Sequence, residues 1–110
     1  MTKQNNLILV GFMGTGKTSV GKAAAQALNF SYVDTDDIVE EMAGKKISRI
    51  FADEGEAHFR DLETKALRSL ASLKRHVVST GGGVVLRDEN WEAMRNAGLV
   101  VCLAADPEVI

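Results

Sequence analysis

An α/β fold with a mostly parallel sheet and helices on both faces is predicted by three observations. Four short apolar runs lie at residues 7–10, 30–33, 77–78 and 99–103, with the unbroken or alternating character of strands. The stretches between them carry apolar residues at helical spacing, and strands alternating with helices build parallel sheets through right-handed crossovers. The first and third runs open into glycine-rich segments and the second into a carboxylate cluster, as expected where ligands gather beyond the carboxyl ends of parallel strands.

The first element is the most specific. Leu7-Ile8-Leu9-Val10 enters Gly11-Phe12-Met13-Gly14-Thr15-Gly16-Lys17-Thr18, a complete G-x-x-x-x-G-K-[ST] phosphate-binding loop. Its glycines let amide N–H groups point inward with no Cβ in the way, and the positive end of the following helix adds to the cavity for a polyphosphate. The phosphate-binding set is Gly11, Met13, Gly14, Thr15, Gly16, Lys17, Thr18 and Ser19. In such a loop Lys17 reaches the β- and γ-phosphates of ATP as a point charge, and the Thr18 hydroxyl ligates the accompanying Mg²⁺. Val20, Ala24, Ala27 and Leu28 form the expected inward face of that helix.

The second strand ends in Asp34-Thr35-Asp36-Asp37, followed by a short helix carrying Ile38, Val39 and Met42 that Gly44 stops. On extended backbone Asp34 and Asp36 point the same way, which suits Mg²⁺ or substrate; the same cluster also suits capping of the helix. Residues 45–74 read as helical, with Ser48 as cap of a first piece and Gly55 as separator. Beyond it Phe59, Leu62, Ala66, Leu67, Leu70 and Leu73 make a continuous apolar face. Arg60 lies beside that face with Glu56 at i−4 and Glu63 at i+3. The trio reads either as a solvated charge face or as an arginine held to bind an anion bidentately.

The third strand runs into Gly81-Gly82-Gly83, more glycine than a simple turn needs, and close approach of backbone to ligand explains it. Asp88 and Asn90 offer caps for a helix carrying Trp91, Met94 and Ala97, which Gly98 ends. In the fourth strand, Cys102 is expected to be a buried, inert thiol. Asp106-Pro107 opens a further helix, of which only Glu108, Val109 and Ile110 follow.

Length and composition set outer bounds. The 110 residues suit one domain, 1–110, and 45% hydrophobic with 25% charged residues is a soluble globular balance. A net charge of -2 gives no electrostatic reason to expect a nucleic-acid partner. No apolar run approaches a membrane span and residues 1–6 lack the apolar region of a secretory signal, so no membrane partner and a cytoplasmic location are expected.

Four segments taken together resemble one family, the shikimate kinases of the P-loop group. They are residues 11–18, Asp34-Thr35-Asp36, Gly55-Glu56 with Phe59-Arg60 and Glu63, and Gly81-Gly82-Gly83. The resemblance covers about residues 7–110. It implies a P-loop three-layer α/β/α fold and transfer of the γ-phosphoryl of ATP to the 3-hydroxyl of shikimate, a step of aromatic amino-acid biosynthesis. Carried over, Lys17 and Asp36 are catalytic, Lys17 by stabilising phosphoryl charge and Asp36 by orienting or deprotonating the attacking hydroxyl. Thr18 holds Mg²⁺ directly and Asp34 through water. Asp36, Arg60, Gly81, Gly82 and Gly83 bind shikimate, with Arg60 on its carboxylate and Glu63 in support.

The same resemblance implies a lid bearing an arginine, a second substrate-binding arginine, an adenine-contacting segment and a fifth strand. None of these is found in the 110 residues. The chain is thus expected to be a C-terminally truncated member, monomeric at full length and open to association when truncated. An arginine finger is worth about a thousandfold or more in rate. Two other readings stand beside this one: another small-molecule kinase of the group, such as a gluconate kinase, and a non-catalytic module that binds nucleotide or shikimate.

Overall fold

The computed structural model of the chain describes residues 6–11 and 17–103. Within them four strands, β1 (Leu7–Gly11), β2 (Ser31–Asp34), β3 (His76–Ser79) and β4 (Leu99–Leu103), form a parallel sheet in the order β2-β3-β1-β4. Every pairing is parallel, with Ile8 opposite both Val78 and Val100, and Asp34 opposite Ser79. From β1 the chain crosses towards β2, and from β3 it crosses the other way to β4. The two neighbours β1 and β3 therefore flank the point where strand order reverses, beyond whose carboxyl ends ligands gather in open parallel sheets.

Helices cover both faces. α1 (Lys17–Leu28) lies on one, where Leu9, Val77 and Ala25 form a small core with Tyr32 and Val101. α3 (Ile47–Ser69) and α4 (Asp88–Ala97) lie on the other. There Ile8, Val10 and Val78 pack with Leu67, Leu70 and Met94, all fully buried or nearly so. Ile8 and Val10 thus face one layer and Leu9 the other, as alternation along a strand requires.

The inward face of α1 differs from expectation. Gly21 and Ala25 are buried, whereas Val20 is 44% and Leu28 47% exposed. Close approach is the reason: a Cβ on Gly21 would stand 2.6 Å from Tyr32 Cε1 and 2.9 Å from Ser79 Oγ. Small residues face the sheet here because the helix lies so near to it. β4 also departs from the fully covered strand expected. Among the described residues it is an edge strand, with Leu99 67% exposed and Cys102 exposed where a buried thiol was expected.

Between β2 and β3 stand α2 (Thr35–Ala43) and α3. Gly44 ends α2 at φ 72, its N–H donating to Glu40 O, a left-handed cap that glycine adopts without strain. Ser48 is not the cap of α3, since the helix already includes Ile47; the Ile47 N–H donates instead to Glu40 Oε2 at 2.9 Å. Gly55, at φ 87 and ψ 169, breaks the helical backbone inside α3 as the separator it was expected to be. Val39, Ile50, Phe59 and Ala66 pack α2 against both arms of α3.

Asn6, 4% exposed, fastens the amino-terminal end of the sheet. Its Nδ2 donates to Leu73 O (2.8 Å) and Ala97 O (3.0 Å), and its Oδ1 accepts from His76 N (3.0 Å). Its carbonyl accepts from Leu99 N, and a Cβ on Gly98 would overlap that same oxygen. Asn6→Leu orphans one buried and one part-buried carbonyl and a part-buried N–H and is expected to cost about 2–4 kcal/mol. A lowered urea midpoint at unchanged m-value would register it; an unchanged midpoint would show that water replaces the amide.

Candidate active site

Beyond the carboxyl ends of β2 and β3 the structure brings together Asp36, Arg60, Glu63, Gly81 and Gly83. Each is held by local structure. Asp34 is both the last residue of β2 and the N-cap of α2, its Oδ1 accepting from Asp36 N at 2.8 Å. Capping and a site role are thus compatible at Asp34. The backbone turns helical at Thr35, however, so Asp34 and Asp36 do not share one extended segment as expected.

Asp36 sits in the first turn of α2 with its carboxyl pushed up to about 6. Burial is the largest cause, and the carboxylates of Asp34, Glu63, Asp37 and Glu40 add to it. A carboxylate so placed remains ionised at neutral pH yet is basic enough to take a proton from a hydroxyl during its reaction.

Arg60 and Glu63 lie one turn apart on α3. Arg60 Nη1 donates to Glu63 Oε1 at 3.0 Å, and Nη2 lies 3.4 Å from Glu56 Oε2. Glu63 is 1% exposed, so this is no solvated charge face. The signal was present in the spacing: Glu63 follows Phe59 by four and precedes Ala66 and Leu67 by three and four, which puts it inside the buried stripe. Arg60, partly exposed, also stacks on Phe59, its Cζ 5.2 Å from the ring centroid.

The glycine segment lies directly against these groups. A Cβ on Gly83 would overlap Arg60 Nη1 and stand 2.7 Å from Cζ, while one on Gly81 would stand 3.2 Å from Glu63 Oε2 and 3.6 Å from Asp36 Oδ1. The glycines therefore accommodate the protein's own site side chains, a reason for their small size that the sequence did not disclose. Gly83→Ala is expected to fold, because the end of a flexible arginine can move, but to push the guanidinium away from its place. Affinity for a carboxylate-bearing ligand of Arg60 should fall about tenfold with melting temperature little changed; retained affinity would mean Arg60 need not lie on Gly83.

The phosphate loop is only partly in view. Gly11 ends β1, Lys17 and Thr18 open α1, and Ser19 is exposed on that helix. Met13, Gly14, Thr15 and Gly16 lie outside the described residues, as do the side chains of Lys17 and Thr18. Gly82 opens a 3-10 helix spanning Gly82–Leu86.

Asp88 and Asn90, offered as caps of α4, both lie inside it, and Asn90 is buried at 1% exposure. Its Nδ2 donates to Val84 O at 3.0 Å, and its Oδ1 accepts from the Thr64 hydroxyl at 2.7 Å. Neither Thr64 nor Asn90 was picked out as a site-supporting residue in the sequence. Thr64, at i+1 from Glu63, was detectable only as a polar residue next to the apolar stripe.

The family model "Shikimate kinase" matches residues 13–110. The shikimate kinase of Thermodesulfovibrio yellowstonii is 50% identical over 105 residues, covering 96% of this chain and 61% of that protein. Among solved structures, the shikimate kinase from Acinetobacter baumannii in complex with shikimate superposes with a TM-score of 0.87 at 40% identity, covering 96% of this chain and 59% of that one. A gluconokinase from Sinorhizobium meliloti, at TM-score 0.61 and 19% identity, shares the fold alone. The chain thus spans about 60% of the length of the relatives it matches. With a family match over nearly all its residues and half of them identical to a curated member, the chain belongs to the shikimate kinase family.

Proposed function

We propose that this chain carries the acceptor-binding and phosphate-binding parts of a shikimate kinase, transferring the γ-phosphoryl of ATP to the 3-hydroxyl of shikimate. One observation carries the reading: a guanidinium laid on Gly83 and a raised-pKa carboxylate beside Gly81, two residues apart on one stretch of backbone. A small acceptor with both a carboxylate and hydroxyls matches that pair. Arg60 takes the carboxylate in a two-pronged contact, and Asp36 takes a hydroxyl.

In the proposed reaction the acceptor oxygen attacks the γ-phosphorus, the bond to the β–γ bridging oxygen breaks, and ADP leaves. Asp36 accepts the hydroxyl proton. Lys17 and the loop amides of residues 11–18 hold the phosphates, so catalysis is mainly positioning and charge neutralisation. Mg²⁺ would be held by the Thr18 hydroxyl and, through water, by Asp34, oxygen donors of the hard kind that this ion takes. When bound it neutralises charge on the β- and γ-phosphates. Among the described residues no helix is long and apolar enough to cross a membrane, and ATP as donor fits a cytoplasmic setting.

The test is Mg²⁺-dependent ADP formation with and without shikimate, with gluconate as control acceptor. Shikimate-dependent ADP is the expected result. ADP formed with gluconate alone would move the reading to another kinase of the group. Binding of both ligands without ADP would leave a binding module that needs a lid supplied from outside residues 1–110.

A further inference from the structure

The glycine segment runs into the 3-10 helix Gly82–Leu86, at whose start Val84 N donates to Gly81 O at 3.3 Å. A chain of side chains from other elements also reaches it. Arg87 Nη1 donates to Thr64 Oγ1 at 3.2 Å, the Thr64 hydroxyl donates to Asn90 Oδ1 at 2.7 Å, and Asn90 Nδ2 donates to Val84 O at 3.0 Å. The direction of each link is set, because Val84 O can only accept and the guanidinium can only donate. Thr64 is 3% and Asn90 1% exposed, so neither has water as a substitute partner. Thr64 Oγ1 also stands 3.1 Å from Arg60 O, one turn back on the same helix.

The relay therefore joins two things whose spacing defines the acceptor pocket: the turn of α3 that bears Arg60, and the backbone two residues after Gly82. We infer that Thr64 and Asn90 are positioning residues that hold Gly81 and Gly83 against Arg60, Glu63 and Asp36, and that they set affinity for the carboxylate-bearing acceptor and not for the nucleotide. This rests on the proposed acceptor role of Arg60. Neither residue touches the acceptor itself. Loss of the relay lets the glycine segment rise or slide, and Arg60 loses the surface it lies on.

Trp91 supplies a local probe. It is the chain's one tryptophan, and its Nε1 donates to Val85 O at 3.1 Å, at the far end of the same 3-10 helix. Shikimate titrated against Trp91 fluorescence, with ADP titrated by calorimetry, is measured for the unsubstituted chain, Thr64→Val, Thr64→Ser and Asn90→Leu. Thr64→Val keeps the shape and removes only the hydroxyl, which guards against a variant that merely fails to fold. We expect the shikimate Kd to rise about tenfold or more in Thr64→Val and Asn90→Leu, the ADP Kd to stay within about twofold, and Thr64→Ser to restore most of the affinity. In the ligand-free variants the Val84 amide should exchange faster with solvent.

A folded Thr64→Val that binds shikimate as the unsubstituted chain does, or that loses both ligands equally, overturns the positioning role. So does unchanged exchange at Val84. An unsubstituted chain that binds no shikimate is a different failure, of the functional reading itself, and is seen before any variant is compared.

Discussion

Arg60→Ala should weaken shikimate binding about 100-fold while changing ADP binding by no more than about twofold, because a two-pronged guanidinium–carboxylate contact is lost on the acceptor side only. Arg60→Lys should fall between, keeping the charge and losing the fork. A second consequence follows from burial. Glu63, 1% exposed, has its Oε1 on Arg60 Nη1, and removing the arginine leaves that carboxylate in the interior near Asp36 with its main partner gone. Breaking such a pair from one side destabilises by about 2–3 kcal/mol once the partial exposure of Arg60 is discounted. Glu63→Gln added to Arg60→Ala should return part of that stability and none of the affinity. Calorimetric titration with both ligands, beside urea unfolding, separates the two effects. Equal losses for shikimate and ADP would count against an acceptor role for Arg60.

The same pair shows how far the sequence could be read and where it stopped. Strands and helices followed from period and punctuation: Gly44 does cap α2 at positive φ, Gly55 does break α3, and helices do cover both faces of a parallel sheet. Local rules reach that far because caps and separators act within a few residues. Glu63 was harder. Its charge suggests solvent while its spacing from Phe59 and Leu67 suggests the interior, and the partner that settles the conflict, Arg60, is a neighbour whose own orientation depends on Gly83 in another element.

Two other misreadings have the same origin. Apolar spacing picks out Val20, Ala24, Ala27 and Leu28 on α1, of which Ala24 packs against the core, whereas the sheet admits Gly21 and Ala25 because α1 lies close to Tyr32. Asn90 was read as a helix cap because it stands near a helix start, yet it is a buried connector between α3 and the segment after β3. Each depends on a contact distant in sequence. No window of local sequence carries it. The glycine triplet is an intermediate case: its sequence suggests close approach of backbone to a ligand, while what stands against Gly81 and Gly83 in the structure is the protein's own guanidinium and carboxylates.

Asp36→Asn should cut turnover steeply and at the same time make the protein more stable at neutral pH. Both effects come from one cause. Unfolded, the carboxyl titrates near 3.8; folded, at about 6, through burial first and then the neighbouring carboxylates. Between those two values the native state keeps a proton that the unfolded state has released. Stability therefore falls as pH rises through that window, and the cost is complete above about 6. A neutral amide does not incur it. With solvent screening allowed for, Asn at this position should stabilise the fold by about 1–2 kcal/mol at pH 7.5 and by almost nothing below pH 3.5. Turnover should drop by a factor of about 100 to 10,000 through loss of the proton acceptor. In the unsubstituted chain, on the proposed function, kcat/KM for shikimate should fall about tenfold per pH unit below 6, as the carboxyl protonates. Thermal melts of both proteins across pH 3.5 to 7.5, paired with rates at each pH, measure all three quantities on one axis. A variant no more stable than its parent at pH 7.5 would mean that Asp36 is not held at a cost, and one that turned over at the parental rate would remove Asp36 from the proton's path. If both effects appear together, the fold gives up stability to keep a carboxylate charged where burial opposes it, and the site, not the core, sets the price.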